Sequence, residues 1–155
     1  MASPAKRAAT RETFSTLPGH LIRRVYQAST ALFAQECGEH APTPVQYAAL
    51  VAIDAHPDID ATRISEVIHF DRSTIGDVLD RMEDRGWVRR QPSLADRRIK
   101  QLAITPDGRD VLRRVAPAIR RVQQRLVAPL STKDANTLVR LLGRIADAHD
   151  ARRSS

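Results

Sequence analysis

Two short clusters of side chains carry the chemistry this sequence can offer. Arg72, Ser73 and Thr74, followed by Asp77 and Arg81, put guanidinium, hydroxyl and carboxylate groups into one segment. Downstream, Arg97, Arg98 and Lys100 gather around the carboxylate of Asp96. Guanidinium and hydroxyl groups donate to phosphate and to base edges, and a carboxylate accepts from the amino group of cytosine. The first cluster therefore suits the major groove of a duplex, with Asp77 as the acceptor and Gly76 letting the backbone approach closely. In the second, a carboxylate two residues before an arginine is expected to hold the guanidinium in a fixed fork for a narrow minor groove. Arg98 is the expected inserted residue, with Arg97 and Lys100 on flanking phosphates. Each cluster also has a plainer reading. Ser73 and Thr74 then support a helix start, Asp77 pairs with Arg81, and the second cluster is a solvated loop with one surface ion pair.

Elements must hold these groups in place. Ile75, Val78, Leu79 and Met82 recur at helical spacing and predict a helix starting at Asp71, with Arg72, Ser73, Gly76, Asp77, Asp80 and Arg81 away from the core. Asp60 is placed to cap a shorter helix before it, in which Ile64, Val67 and Ile68 face inward. Gly86 ends the second helix. Trp87 to Gln91 and Ile99 to Ile104 read as strands, with Pro92 to Arg98 as the tip between them. Upstream, Thr43, Pro44 and Gln46 combine a cap, a first-turn proline and a glutamine that reaches back, opening a helix with Tyr47, Leu50, Val51 and Asp54 that closes at His56 and Pro57. Thr105 and Pro106 repeat the signal for a helix reaching about Ala128, which Pro117 is expected to kink. Ser131 and Asp134 cap a last helix carrying Leu138, Leu141, Leu142 and Ile145. A first helix, from near Thr16 to about Glu36 with Gly38 as its stop, carries Leu21, Val25, Ala28 and Leu32, widened by Leu17, Ile22, Ser29 and Phe33. The predicted fold is mainly α with a small β-hairpin wing. Its terminal helices show more apolar surface than the central unit can cover, and a second copy of the chain is expected to bury the excess.

Composition agrees with a polyanionic partner. Within 155 residues, Lys and Arg total 25 against 18 Asp and Glu, for a formal charge of +7 and a pI near 10.6. Lys6, Lys100 and Lys133 are the only lysines, so nearly all cationic side chains can make planar, forked contacts. The single cysteine, Cys37, excludes an intramolecular disulfide and a multi-cysteine zinc site, and a reducing cytoplasm is the expected location. Glu36 and Glu39 oppose a thiolate at Cys37, which favours an inert thiol over an oxidant sensor. No apolar run approaches membrane-spanning length, so no membrane partner is expected. The histidines lack paired metal-ligand spacing, and no phosphate-cradling glycine motif or nucleophile triad is present. Neither a metal, a cofactor nor an enzymatic activity is expected.

Taken in order, these motifs resemble the MarR family, the multiple antibiotic resistance type of winged helix-turn-helix regulator. The matching residues are Thr43, Pro44, Gln46, Tyr47 and Leu50; Asp71 to Ile75 with Asp80 to Glu83; Gly86, Trp87 and Val88; and Asp96, Arg98, Leu102, Ile104, Thr105 and Gly108. The similarity runs from Leu17 to Ala148. The small and polar composition of the N-terminus predicts a flexible arm over 1–15, and the resemblance implies a helical dimerisation region at 16–40 and 106–150 and a winged helix-turn-helix domain at 43–105. It further implies a homodimer whose two lobes read half-sites of a pseudo-palindromic operator on double-stranded DNA. Family members usually repress a neighbouring promoter. They release it when a small molecule, often a phenolic or aromatic carboxylate, binds between the dimer region and the winged lobe. The resemblance makes Arg98 the wing arginine and Asp96 its orienting partner. The segment from Leu17 to Arg24 looks like that of aromatic-acid-responsive members, which makes His20, Arg23 and Arg24, with Tyr47, candidates for binding an aromatic carboxylate or its thioester. Taken singly, each of the four has a plainer role as a surface charge or dimer contact. Many relatives carry a cationic or larger polar side chain where this chain has Gly76 and Asp77, so their operators do not transfer. The competing readings are a constitutive architectural or adaptor protein without effector, and a redox-responsive regulator acting through Cys37.

Overall fold

Cap chemistry sets most of the element boundaries in the computed structural model, which describes residues 14–93 and 96–153. Helix α1 (Pro18–Cys37) stops where Gly38 takes a φ of 79°, a left-handed conformation open to glycine without a Cβ clash. Helix α2 (Pro44–Ala55) opens with the predicted capping box. Thr43 Oγ1 accepts from the Gln46 amide at 3.3 Å, and Gln46 Oε1 accepts from the Thr43 amide at 3.0 Å. This pairing lets the polar Gln46 lie buried beside Ala49, Leu50 and Ile53. Val51, on the other side of the helix, is exposed.

A two-residue strand β1 (Ile59–Asp60) follows. Asp60 ends it and caps α3 (Ala61–Val67), accepting from the Arg63 amide at 2.8 Å. After a turn come α4 (Ile75–Asp84), strand β2 (Val88–Pro92), strand β3 (Lys100–Ile104), α5 (Pro106–Val127) and α6 (Thr132–Arg153). The sheet order is β1-β3-β2 with both pairings antiparallel, in a register that sets Val88 against Ile104, Arg90 against Leu102 and Ile59 against Leu102. The hairpin was expected from the sequence, whereas β1 was not: it is too short to display a period of two, and it forms by pairing with β3.

The described residues gather into two compact units, one within Phe33–Arg120 and the other within the flanking segments Met1–Leu32 and Arg121–Ser155. In the first unit the predicted periodic set of α4, Ile75, Val78, Leu79 and Met82, is buried against Leu50, Ile64, Val88 and Leu102. Val67 and Ile68 pack partly buried on the same core. The start of α5 is joined to the base of the hairpin. Thr105 Oγ1 accepts from the Gly108 amide at 3.0 Å and donates to the Gly86 carbonyl at 2.6 Å. A Cβ on Gly108 would land on the Trp87 carbonyl oxygen and on Ile104 Cγ1, so only glycine fits there. Pro117 lies inside α5 without ending it.

In the second unit, the start of α6 is capped by Ser131, whose hydroxyl accepts from the Asp134 amide at 3.2 Å. No side chain of α1 is fully buried within the single chain. The arm expected over 1–15 lies outside the described residues as far as Thr13. Phe14 and Ser15 belong to a helical turn closed by the Leu17 amide on the Phe14 carbonyl at 3.2 Å. Leu94 and Ala95, inside the predicted tip, also lie outside the described residues.

Candidate nucleic-acid interface

Helix α4 buries its apolar face and so presents Gly76, Asp77, Asp80 and Arg81 outward, with Arg72, Ser73 and Thr74 exposed just before it. The helix begins at Ile75, not at Asp71 as the sequence pattern predicted. The Asp71 carboxylate captures the Ser73 amide at 2.7 Å and the Ser73 hydroxyl at 2.5 Å, closing an Asx turn that competes with helix. The Thr74 hydroxyl donates to the Asp71 carbonyl at 3.3 Å. Both hydroxyl protons are thus committed within the turn, and the supporting role weighed for Ser73 and Thr74 is the one the geometry displays. What they offer outward is acceptor lone pairs, which suit an amino group on a base edge better than a phosphate. Arg72 reaches back to α3, donating from Nη2 to Thr62 Oγ1 at 3.0 Å. Arg81 donates from Nε to the backbone carbonyl of Asp77 at 3.2 Å, so the weighed Asp77–Arg81 carboxylate pair does not form. Among the described residues no ion pair engages the Asp77 carboxylate, which stays exposed.

At the wing tip the Asp96 carboxylate accepts from the backbone amide of Arg98 at 2.9 Å. This corrects the fixed-fork expectation: the carboxylate orders the Arg98 backbone and not its guanidinium. The physical reason is ring size, since an i to i+2 amide closes a short loop without freezing the four-bond arginine stem. The Ile99 amide on the Asp96 carbonyl and the Ser93 amide on the Ile99 carbonyl, both at 2.9 Å, complete the closure. Arg97, Arg98 and Lys100 are all exposed around it.

A group that the sequence reading passed over sits at the root of the wing. Arg90, on β2, donates from Nη2 to Asp80 Oδ1 at 2.6 Å and from Nη1 to Glu83 Oε2 at 2.5 Å. Its backbone amide adds a third bond, to Glu83 Oε1 at 2.9 Å. Burial alone lowers the Arg90 pKa, but the bonds from Asp80 and Glu83 outweigh it and hold the guanidinium above its ordinary value. The available signal was two carboxylates on one turn of α4 followed by an arginine on the next strand. Nearby, the Arg85 guanidinium stacks 4.8 Å from the Trp87 ring centroid. A polar cleft of about 490 Å³ beside them is lined by Asp107, Asp110, Val111, Arg113 and Arg114 as well, and by none of the predicted effector residues.

Of those effector candidates, His20, Arg23 and Arg24 lie on α1 and Tyr47, half-buried, on α2. The His20 ring packs against Phe14 with centroids 4.3 Å apart, and its Nδ1 is buried with no hydrogen-bond partner among the described residues. Arg23 and Arg24 are exposed. Cys37 is half-buried at the end of α1. Among the described residues no group of three or more His, Cys, Asp or Glu side chains could hold a metal, and no helix is long and apolar enough to cross a membrane.

A capped short helix, a turn, a second helix with a polar outward face and a basic hairpin paired to a third strand define the winged helix class of DNA-binding fold. The chain belongs to the MarR family of transcriptional regulators: residues 43–100 match the model described as MarR family. It is 30% identical over 123 residues to the transcriptional regulator HosA of Escherichia coli O157:H7, covering 79% of this chain and 90% of HosA. Among solved structures it is similar to the PcaV transcriptional regulator of Streptomyces coelicolor in complex with its natural ligand, at 36% identity and a TM-score of 0.81, covering 88% of this chain and 96% of PcaV. It is also similar to BpsR of Bordetella bronchiseptica, whose DNA binding is regulated by 6-hydroxynicotinic acid, at 28% identity and a TM-score of 0.83, covering 86% of this chain and 96% of BpsR. These relatives are regulators of transcription and not enzymes.

Proposed function

We propose that the protein is a cytoplasmic, homodimeric repressor that reads a pseudo-palindromic operator and is released by a small aromatic carboxylate or its thioester. The observation that carries the DNA-reading part is the joint exposure of the α4 polar face with Arg97, Arg98 and Lys100 on one compact unit. In this reading Arg72 and Arg81 position the backbone, Asp77 with the Ser73 and Thr74 oxygens meets base edges, and Arg98 enters the minor groove. Asp96 serves by shaping the turn that carries Arg98, and Arg97 and Lys100 neutralise phosphates. The dimer is supported by the apolar side chains of the terminal helices. Leu21, Ile22 and Val25 on α1, and Val139, Leu142 and Ile145 on α6, all remain exposed in the single chain. The effector reading is supported by His20 Nδ1, a buried polar atom without a partner among the described residues, with the cationic Arg23 and Arg24 on the same helix and Tyr47 as the fourth candidate. An aromatic carboxylate as the ligand class is supported by the regulation of BpsR's DNA binding by 6-hydroxynicotinic acid.

The test is a footprint on the DNA upstream of the protein's own coding sequence, repeated with a panel of aromatic acids and their coenzyme A thioesters. One protected inverted repeat that is lost with a member of the panel is expected. Arg23→Ala should keep the footprint and blunt the release. Equal protection of random duplex at matched salt would replace this reading with an architectural one, and a footprint indifferent to the whole panel would remove the effector class.

A further inference from the structure

Recognition helix and wing touch different grooves, so the angle between them decides whether both can be engaged at once. At the base of the hairpin that angle is fixed by apolar packing, because Val88, Leu102 and Ile104 are buried and the Trp87 amide bonds the Met82 carbonyl at 3.0 Å. Beyond Val88 the situation changes, since β2 buries no further side chain up to its end at Pro92. Its backbone pairs with β3, and among the described residues two side-chain contacts tie that outer half of the strand to other elements of the unit. One is the 3.3 Å bond from Gln91 Nε2 to Asp58 Oδ1. The other is the three-bond grip of Arg90 on Asp80 and Glu83 of α4, at 2.5 to 2.9 Å. The Arg90 side chain is only 27% exposed, which shields these charged bonds from water more than an open surface pair. A planar fork that spans two carboxylates resists rotation in a way a single contact does not.

We infer that Arg90 is a positioning residue for DNA binding: by clamping the first wing strand to the recognition helix, it sets where Arg98 meets the minor groove. The inference rests on the wing role given to Arg98 above. β3 is anchored by its pairing with β1, whereas β2 is the outer strand of the sheet; without the clamp that edge of the hairpin loosens, and Arg98 must be ordered at the moment of binding. Asp80 and Glu83 are negative groups beside a polyanion, and Arg90 also neutralises them there.

A double-mutant cycle separates positioning from plain stability. The probe is a duplex selected from a random-sequence pool by the wild-type protein. Its affinity is measured for wild type, Arg90→Lys, Arg98→Ala and the double variant, with thermal unfolding followed for each. Lysine keeps the charge but cannot fork across both carboxylates. Each single change is expected to weaken binding roughly tenfold, and the double variant should be within roughly threefold of the weaker single. A double variant whose loss is the product of the two single losses would overturn the inference, as would full affinity for Arg90→Lys. Full affinity for Arg98→Ala would instead strike the wing assignment itself, and the inference with it. Should Arg90→Lys unfold at the assay temperature, Glu83→Gln, which weakens the same grip from the helix side, takes its place in the cycle with the same expected outcomes.

Discussion

Arg98 is exposed next to a carboxylate that bonds its backbone, and among the described residues no bond engages its guanidinium, which can meet a partner. Arg98→Ala should therefore leave thermal unfolding unchanged and weaken operator binding by about 1 to 3 kcal/mol, as read by fluorescence anisotropy titration. Unchanged affinity in a folded protein would contradict its role. Gly76 makes a complementary case. A Cβ there would meet nothing within 4 Å, so the fold does not require glycine in this helix. Gly76→Ala is expected to stabilise the free protein by up to about 1 kcal/mol and yet to weaken DNA binding, if the bare backbone lies against a base edge. Calorimetry alongside titration checks both signs, and a tighter complex would remove Gly76 from the interface. The identity of the exposed residues was legible in the sequence because α4 has a strict apolar period. Their hydrogen bonds were not, because Asp71 and Asp96 each had several donors in reach and only the folded turn selects one. Arg90 was missed for a related reason: its partners lie on another element, and the two carboxylates on one turn of α4 single it out only once the strand lies beside them.

At the scale of elements, the caps were the most readable feature. Thr43 with Gln46, Asp60, Thr105 and Ser131 all act where their spacing placed them, because a cap bond spans only three residues and depends little on tertiary context. The start of α4 misled because its apolar period begins at Ile75 and says nothing about the residues before it. Strand β1 stayed hidden because a two-residue strand exists only through its partner. The joint between α5 and the hairpin is an element-scale feature that one substitution can test. Gly108→Ala drives a methyl group into the Trp87 carbonyl and Ile104, and a loss of about 1 to 3 kcal/mol is expected in denaturant unfolding. A neutral result would mean that α5 can lift from the hairpin base at no cost.

For the whole molecule, the decisive feature is apolar surface that one chain does not cover. Val139 is 67% exposed and Ile145 51% exposed on α6. The double change Val139→Asp with Ile145→Asp should shift the proposed dimer to monomer in sedimentation equilibrium, where the unsubstituted protein is expected at twice the chain mass, since burying carboxylates across an apolar interface is strongly unfavourable. A species of unchanged mass would place the dimer contact elsewhere. This excess was visible in the sequence as stripes on the first and last helices, whereas the proposed effector site is legible only as a set of candidate residues.

Sequence-specific reading by paired winged units is the central proposition, and one titration addresses it directly. A duplex selected from a random pool and a shuffled duplex of equal length and composition are bound at the same salt concentration, with the stoichiometry of each complex determined. The account predicts a preference of roughly a thousandfold or more for the selected duplex and two chains on each copy of it. Equal affinity for both duplexes, or one chain per selected duplex at saturation, would contradict it.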